Sequence, residues 1–259
     1  MRLKIQIMSD LHIRYPGARG FPALARGVDL VAIAGDTCEG LARAIQAMRA
    51  AYPTTEIVTC PGNHEFYGGS YLEQLAEGRE CARELGVHLV EDSVTNFGLL
   101  RIVGATLWTS YDLLGERLRD AAMRTAYDTM RDHRRIKWQR NPWKRFRPLE
   151  ARMLHQRSRA FIEAELAHPH SGPTIVLTHM APSVEHIAPK SRTEMISAAF
   201  ASPLEPVIDR FQPHYWISGH THFHVDFHRG RTRLISNPLG YADEDDTGFD
   251  PSCTIEVDA

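Results

Sequence analysis

Apolar runs separated by amphipathic segments dominate the N-terminal third of the chain. Strand-like runs occupy residues 3–8, 28–34 and 56–60, and each is either apolar or alternates between apolar and polar positions. Residues 39–51 and 70–85 place their apolar side chains at helical spacing instead. Because strands that alternate with helices favour right-handed β-α-β units, the pattern predicts a largely parallel sheet with helices on both faces.

Beyond residue 87 the pattern changes to short strands with tight connections. The runs 87–90, 99–103 and 105–108 have no helix between them, which predicts that the first sheet continues toward a second one. Mixed elements return in the second half of the chain. We expect helices at about 150–167 and 204–211, and strands at 173–178, 214–218, 224–228, 232–236 and 252–257.

The composition favours one soluble α/β domain over residues 1–259. This length is enough for one large core or two small ones. A net charge of −2 gives no sign of a nucleic-acid or membrane partner, so only local patches can argue for one. The four scattered cysteines fit free thiols in an intracellular protein. The N-terminal run lacks the apolar core of a signal peptide, and every apolar run is too short to span a membrane, so we expect a cytoplasmic protein.

Side chains that can bind a metal follow five of the predicted strands directly. The first strand leads into Asp10 and His12, and residues two apart at a strand end share one face. The other strand ends carry Asp36, Asn63 with His64, His179, and His220 with His222. Each motif alone is typical of a turn, but open α/β sheets bind ligands at the carboxyl ends of their strands. Five such ends together predict one site.

The chemistry of this set favours a metal centre. Carboxylate, imidazole and amide groups without a thiolate suit Mn, Fe, Zn, Ni or Co, of which we favour Mn. The ligands are too many for one ion and about the right number for two, and a central aspartate can bridge both. The sequence therefore predicts two divalent metal ions as cofactors, placed to clamp a phosphoryl group.

The motifs that carry these residues resemble those of the calcineurin-like metallophosphoesterase superfamily. They are Asp10-x-His12, Gly35-Asp36, Gly62-Asn63-His64-Glu65, His179 and Gly219-His220-Thr221-His222, in the usual order. The resemblance implies a four-layer αββα sandwich with the metal site at the C-terminal strand ends. It assigns Asp10, His12, Asp36 and His222 to one ion, and Asp36 as bridge, Asn63, His179 and His220 to the other. It also implies that His64 protonates the leaving-group oxygen or steadies the phosphoryl charge, and that Glu65 orients His64.

An insert at about residues 109–150 is strongly basic and contains several aromatic residues. One interpretation is a solvated helical excursion whose arginine stems pack on tryptophan rings. The other is a cap whose cations attract an anionic substrate and whose tryptophans stack a base. The candidate substrate contacts are Arg134, Arg135 and Trp138 in the insert and, outside it, His224.

The predicted activity is hydrolysis of a phosphate mono- or diester by attack of a metal-bound hydroxide. We expect the substrate to be a phosphorylated small molecule or a nucleotide. The basic insert keeps a nuclease or a cyclic-nucleotide phosphodiesterase open as alternatives. A catalytically inactive scaffold is less favoured because His64 is present, and nothing in the sequence indicates the peptide groove of a protein phosphatase. The ester type, the native metal pair and the oligomeric state are left open.

Overall fold

Two mixed β-sheets that share an apolar layer form the centre of the molecule, as described by a computed structural model of residues 2–244 and 246–259. The strands are β1 (Arg2–Met8), β2 (Leu30–Ile33), β3 (Glu56–Thr59), β4 (His88–Leu89), β5 (Ser93–Phe97), β6 (Leu100–Ala105), β7 (Lys137–Gln139), β8 (Lys144–Arg145), β9 (Thr174–Thr178), β10 (Tyr215–Ser218), β11 (Val225–Arg229), β12 (Thr232–Ser236) and β13 (Thr254–Asp258). The α-helices are α1 (Leu41–Ala51), α2 (Tyr71–Leu85), α3 (Arg119–Thr129), α4 (Asp132–Arg135), α5 (Pro148–Ala167) and α6 (Glu205–Phe211).

Parallel pairing prevails inside both sheets, with antiparallel strands at their edges. The first sheet has the order β13-β1-β2-β3-β4, and only β13 runs antiparallel to its neighbour. The second has the order β11-β12-β10-β9-β6-β5, with β11 and β5 antiparallel. A separate hairpin, β7-β8, belongs to the insert.

Side chains along the inner strands alternate between two apolar clusters. In β2, Ala32 belongs to the cluster shared by the two sheets, whereas Val31 and Ile33 belong to a cluster that also contains α1, α2 and α5 residues. In β10, Ile217 lies in the shared cluster and Trp216 in the outer one. This period of two lets each sheet pack on its partner with one face and on helices with the other. The predicted αββα sandwich is confirmed.

The predicted elements hold along most of the chain, with two errors near residue 100. Residues 105–108 are not a separate strand, because β6 continues to Ala105 and the chain then turns at Leu107 and Trp108 with positive φ angles of 72° and 47°. The strand β5 is absent from the prediction. The insert contains α3, α4 and the β7-β8 hairpin.

Within the described parts of the chain, no helix combines the length and the apolar character that crossing a membrane requires.

Candidate metal centre

The seven predicted metal ligands lie together at the carboxyl ends of the parallel strands. Three groups of side chains place their ligand atoms within 4.8 Å of one another: Asp10, His12 and His222; His12, Asp36 and His64; and Asp36, His179 and His220. Asp36 belongs to two of these groups, as expected of a residue that bridges two ions. The seventh predicted ligand, Asn63, contacts His179.

The backbone at this edge adopts an unusual conformation that aims the side chains inward. Asp10, His12, Asp36, His220 and His222 have φ angles of 53°, 44°, 56°, 69° and 49°. The left-handed region is unfavourable for residues other than glycine, and such strain clusters at functional sites. The strand ends therefore turn sharply at the ligand positions.

Asp36 lies at the centre of the site, surrounded by imidazoles. Its Oδ1 lies 3.5 Å from His179 Nε2, and its Oδ2 lies 3.8 Å from His64 Nε2 and 4.0 Å from His12 Nε2. The Oδ1 atom also accepts a hydrogen bond from the backbone N–H of His64 at 2.9 Å. The carboxylate is almost fully buried, so these groups replace its water.

One half of the site has a carboxylate behind one of its histidines. His222 directs Nε2 at Asp10 Oδ1, 3.4 Å away, and its Nδ1 donates a hydrogen bond to Glu244 Oε2 at 2.6 Å. The Nε2 atoms of His12 and His222 are 3.1 Å apart. A carboxylate on the outer ring nitrogen fixes the tautomer that leaves the inner nitrogen free to bind a metal.

The other half of the site is ordered in the same way. His179 donates its Nδ1–H to the carbonyl of Ala34 at 2.8 Å, and its Nε2 lies 3.0 Å from Asn63 Oδ1. The amide nitrogen of Asn63 donates to Asp132 Oδ1 at 2.9 Å, so the amide oxygen faces the site. Asp132 lies in α4, which belongs to the insert.

The donor atoms fit a divalent cation. His220 Nε2 is a buried ring nitrogen without a hydrogen-bond partner among the described residues, and one ring nitrogen of His220 lies within 4.8 Å of ligand atoms of Asp36 and His179. The space around Asp36 is also kept open by Gly62, because a Cβ atom there would approach Asp36 Oδ1 to 2.1 Å. An imidazole nitrogen that converges with a buried carboxylate and a second imidazole is the arrangement that metal ions occupy.

The electrostatics of the site favour positive charge at its centre. Burial lowers the pKa of His220 to about 3 and that of His12 to about 4, so both rings are neutral at neutral pH. Burial opposes a charge on His179 too, but Asp36 raises its pKa to about 9. Despite burial, contact with His222 lowers the pKa of Asp10 to about 2. Two buried carboxylates thus attract protons to their nearest histidines, and a metal ion would replace those protons.

His64 and Glu65 have different surroundings. His64 Nε2 lies 3.1 Å from the hydroxyl of Tyr241, and the ring stacks on Tyr67 with 4.3 Å between centroids. The carboxylate of Glu65 accepts hydrogen bonds from the backbone N–H groups of Asp36, Thr37 and Gly62 at 2.7–3.0 Å. Glu65 therefore braces the backbone that carries Asp36. That Glu65 orients His64 stays a prediction.

A cavity of about 510 Å³ opens above the ligand cluster. Its walls include Thr129, Met130 and Arg131 of the insert and Phe200 from the segment after β9. The segment 129–131 thus brings the insert to the edge of the site.

The four candidate substrate contacts from the sequence lie outside the lining of this cavity. Trp138 stacks on Tyr71 with 5.5 Å between ring centroids, and Arg134 bonds to the carbonyl of Asp128. Arg135 pairs with Glu39 and lines a neighbouring cavity. The backbone N–H of His224 donates to the carbonyl of Thr247.

Several residues of the site carry no motif in the sequence. The cavity is lined by Tyr15, Tyr241 and Glu244 among others. Tyr241 contacts His64, and Glu244 contacts His222. They come from loops that reach the ligands only after folding. The acidic composition of the loop around Glu244 was the sole available signal, and it is equally typical of a solvated turn.

Comparisons with known proteins agree with this geometry. The sequence pattern of the calcineurin-like phosphoesterase family matches residues 3–224. No curated protein matches the chain by sequence. Among solved structures, the phosphopantetheinyl hydrolase PptH from Mycobacterium tuberculosis is similar, with a TM-score of 0.73, 17% identity, and coverage of 93% of this chain and 90% of that one. A Staphylococcus aureus protein described as a 5′-nucleotidase, in complex with alpha-ketoglutarate, has a TM-score of 0.50 and 13% identity.

The two solved structures differ in the share of their length that aligns with this chain. The alignment with the Staphylococcus aureus protein covers 92% of this chain but only 48% of that one. At these identities both likenesses concern the fold. The family match spans all five strand ends that carry the ligand cluster. The chain belongs to the calcineurin-like phosphoesterase family and is a metal-dependent phosphoric ester hydrolase.

Proposed function

We propose that this protein hydrolyses a phosphate mono- or diester of a small molecule or nucleotide at a site that holds two divalent metal ions. The observation that carries the proposal is the position of Asp36, which lines the cavity and belongs to two ligand groups, one with His12 and the other with His179 and His220. The cavity volume of about 510 Å³ is in the range of small-molecule sites.

Each half of the site would hold one ion, with Asp36 shared between the two ions. Asp10, His12 and His222 supply the first set, and Asn63, His179 and His220 supply the second. Divalent ions bound there would neutralise phosphoryl charge and make a water-derived nucleophile available at neutral pH. This donor set without thiolate supports Mn, Fe, Zn, Ni or Co, with Mn favoured.

His64 would then handle the proton of the leaving group. Its Nε2 lies at the cavity wall, 3.8 Å from Asp36 Oδ2 and within hydrogen-bond reach of the Tyr241 hydroxyl. An imidazole in this position can donate a proton to the departing oxygen. The Tyr241 hydroxyl would hold the ring in place and share its proton.

Purified protein stripped by a chelator and reloaded with each of Mn, Fe, Zn, Ni and Co tests the proposal. We expect turnover of p-nitrophenyl phosphate, bis-p-nitrophenyl phosphate or both, restored by at least one metal and absent from the stripped protein. The ratio of the two rates decides between a monoesterase and a diesterase. Failure of every metal to restore turnover of either compound would refute the proposed activity.

Nucleic acid is the second candidate substrate, and one residue of the insert favours it. Trp143 is 57% exposed and the Arg145 guanidinium lies 5.8 Å from the centroid of its ring. Such a pair can stack a base of a single strand. Binding of an oligonucleotide that weakens steeply with salt, and weakens further in Trp143→Ala, would support a nuclease.

We also propose a cytoplasmic location. The four cysteines are free thiols, and three of them are buried, which is usual in a reducing compartment. Detection of the tagged protein in fractionated cells tests this.

A further inference from the structure

A second cavity of about 330 Å³ adjoins the metal centre. Tyr15 and Arg131 line both cavities, so the two spaces share a wall. A ligand held at the metals can therefore extend past these two side chains into the second space.

The second cavity is strongly positive. Its lining contains four arginines, which are Arg14, Arg43, Arg131 and Arg135, and one acidic residue, Glu39. Four positive charges and one negative charge give the lining a net charge of +3. No metal ligand of the first site contributes to this wall.

One of the four arginines is already paired. Arg135 makes a two-pronged contact with Glu39, at 2.5 and 2.9 Å, and its guanidinium lies 5.0 Å from the centroid of the Tyr67 ring. In the described parts of the chain, the side chains of Arg14, Arg43 and Arg131 have no hydrogen-bond or ion-pair partner. Three guanidinium groups thus converge on one cavity without a counter-charge.

These three arginines come from separate parts of the fold. Arg14 lies in the loop after β1, Arg131 lies between α3 and α4 of the insert, and Arg43 lies in the first turn of α1. That first turn contains no acidic residue, so the positive end of the helix dipole adds to the charge of the cavity. Convergence from three elements distinguishes this cluster from a solvated run of charge on one helix.

We propose that the second cavity binds a second phosphate of the substrate, so that the preferred substrate carries one phosphate at the metal centre and another among Arg14, Arg43 and Arg131. The inference rests on the proposed function and adds the substrate class to it. Guanidinium groups match the oxygens of a phosphate with paired N–H donors, and a dianion suits an uncompensated positive wall better than a neutral group does.

Matched substrate pairs test the proposal with metal-loaded protein. The pairs are adenosine 5′-monophosphate with adenosine 3′,5′-bisphosphate, and fructose 6-phosphate with fructose 1,6-bisphosphate. Phosphate release should favour the bisphosphate of at least one pair by about tenfold or more in kcat/KM, through a lower KM, since one charge-assisted contact supplies that much. Arg14→Ala and Arg43→Ala should each reduce the preference about tenfold.

Arg124→Ala is the matched control. Arg124 is exposed on α3 and lines neither cavity, so its loss removes the same charge without touching the subsite. We expect this variant to keep the bisphosphate preference. An equal loss in Arg124→Ala would indicate general attraction by net charge and overturn the subsite, as would equal kcat/KM values within both pairs.

Calorimetric titration of the same bisphosphates separates this proposal from the proposed activity. Tighter binding of a bisphosphate than of its monophosphate, lost in the double variant Arg14→Ala/Arg43→Ala, supports the subsite even if no ester is turned over. Equal binding by the wild type and the double variant overturns the subsite even if p-nitrophenyl phosphate is hydrolysed.

Discussion

Asp36 is the residue on which both halves of the metal centre depend. It is buried, it contacts imidazoles of both ligand groups, and its own backbone N–H donates to Glu65. His64 lies beside it but also faces the cavity, where it meets Tyr241. Replacing Asp36 and replacing His64 should therefore have different effects on metal binding and activity.

Asp36→Asn should lose metal and activity together, whereas His64→Ala should keep metal and lose activity. Asparagine tolerates the left-handed backbone at position 36, so the loss would report on the carboxylate and not on misfolding. For His64→Ala we expect a fall in kcat of about 100-fold or more, the usual effect of a missing general acid. Metal content by atomic emission and kcat with p-nitrophenyl phosphate check both variants. Loss of metal from His64→Ala would contradict the assigned role.

Gly62→Ala should displace the Asp36 carboxylate. The new Cβ would lie 2.1 Å from Asp36 Oδ1, so the carboxylate or the turn must move. We expect metal affinity to fall at least tenfold, measured by titration of the stripped protein. Gly78→Ala is the control, because its Cβ would clash at 2.3 Å with the side chain of Leu41, which belongs to none of the ligand groups. That variant should be less stable but bind metal normally.

At the scale of elements, the insert is joined to the metal centre by α4. Asp132 of this short helix accepts hydrogen bonds from Asn63 Nδ2 and, at 2.6 Å, from the Tyr67 hydroxyl. The residue is 3% exposed, so water cannot replace it. The insert therefore sets the orientation of a predicted metal ligand as well as lining the cavity.

Asp132→Ala should weaken metal binding by about 10- to 100-fold, the usual effect of removing a group that orients a ligand. Without the carboxylate, the Asn63 amide can flip and present nitrogen to the ion. Asp128→Ala, an exposed change on α3, is the control. Metal titration of both stripped proteins checks this, and equal affinities would show that the insert does not orient the amide.

The segment between β9 and α6 should respond to acid through His186. This ring is fully buried and burial lowers its pKa to about 4 from 6.5. Below pH 6.5 the unfolded chain binds a proton that the folded one does not, so stability falls as pH decreases toward 4. At pH 5 the cost is about 2 kcal/mol.

His186→Leu should remove that part of the acid sensitivity. Urea unfolding at pH 7.5 and pH 5 should show a smaller loss of stability in the variant than in the wild type, by about 2 kcal/mol. His170→Leu changes an exposed histidine and should leave the loss unchanged. Parallel pH profiles of the wild type and His186→Leu would contradict the prediction.

Elements with a strong local pattern were predictable from the sequence, and elements defined by their neighbours were not. The strands β2 and β9 are buried on both faces, and so appear as continuous apolar runs. The strand β5 has no buried side chain and lies at a sheet edge, so it lacks such a run. Leu107 and Trp108 are apolar and buried although they are not in a strand, so their apolar character wrongly predicted one.

The same distinction applies to the site. Ligands directly after apolar runs could be identified because the parallel sheet brings strand ends together. Tyr241 and Glu244 meet their partners His64 and His222 across loops whose course no periodicity encodes. Arg14 and Arg43 likewise reach one cavity from separate elements. Residues of this kind become visible only once the chain is folded.

At the scale of the whole molecule, the layer between the sheets fixes the relative position of the strand ends. The first sheet supplies Asp10, His12, Asp36 and Asn63 at its strand ends, and the second supplies His179, His220 and His222. The shared apolar cluster contains Ile5 and Ile217 on its two sides. Its packing therefore determines the distance between the ligands of the first sheet and those of the second.

Ile217→Ala should destabilise the protein by about 2–5 kcal/mol, because it opens a cavity in a layer that excludes water. Met153→Ala, at a position 53% exposed on α5, should change stability by no more than about 0.5 kcal/mol. Guanidinium unfolding of the stripped proteins checks both values. A cost below about 1 kcal/mol for Ile217→Ala would show that the inter-sheet layer is loosely packed.

The left-handed backbone at five ligand positions has a consequence for how this protein evolves. Each such residue costs about 1 kcal/mol relative to glycine, and the surrounding fold supplies that energy. A screen for thermal stability alone would therefore recover glycine or asparagine at these positions and lose the metal with them. Selection for robustness and selection for catalysis act in opposite directions at this edge of the sheets.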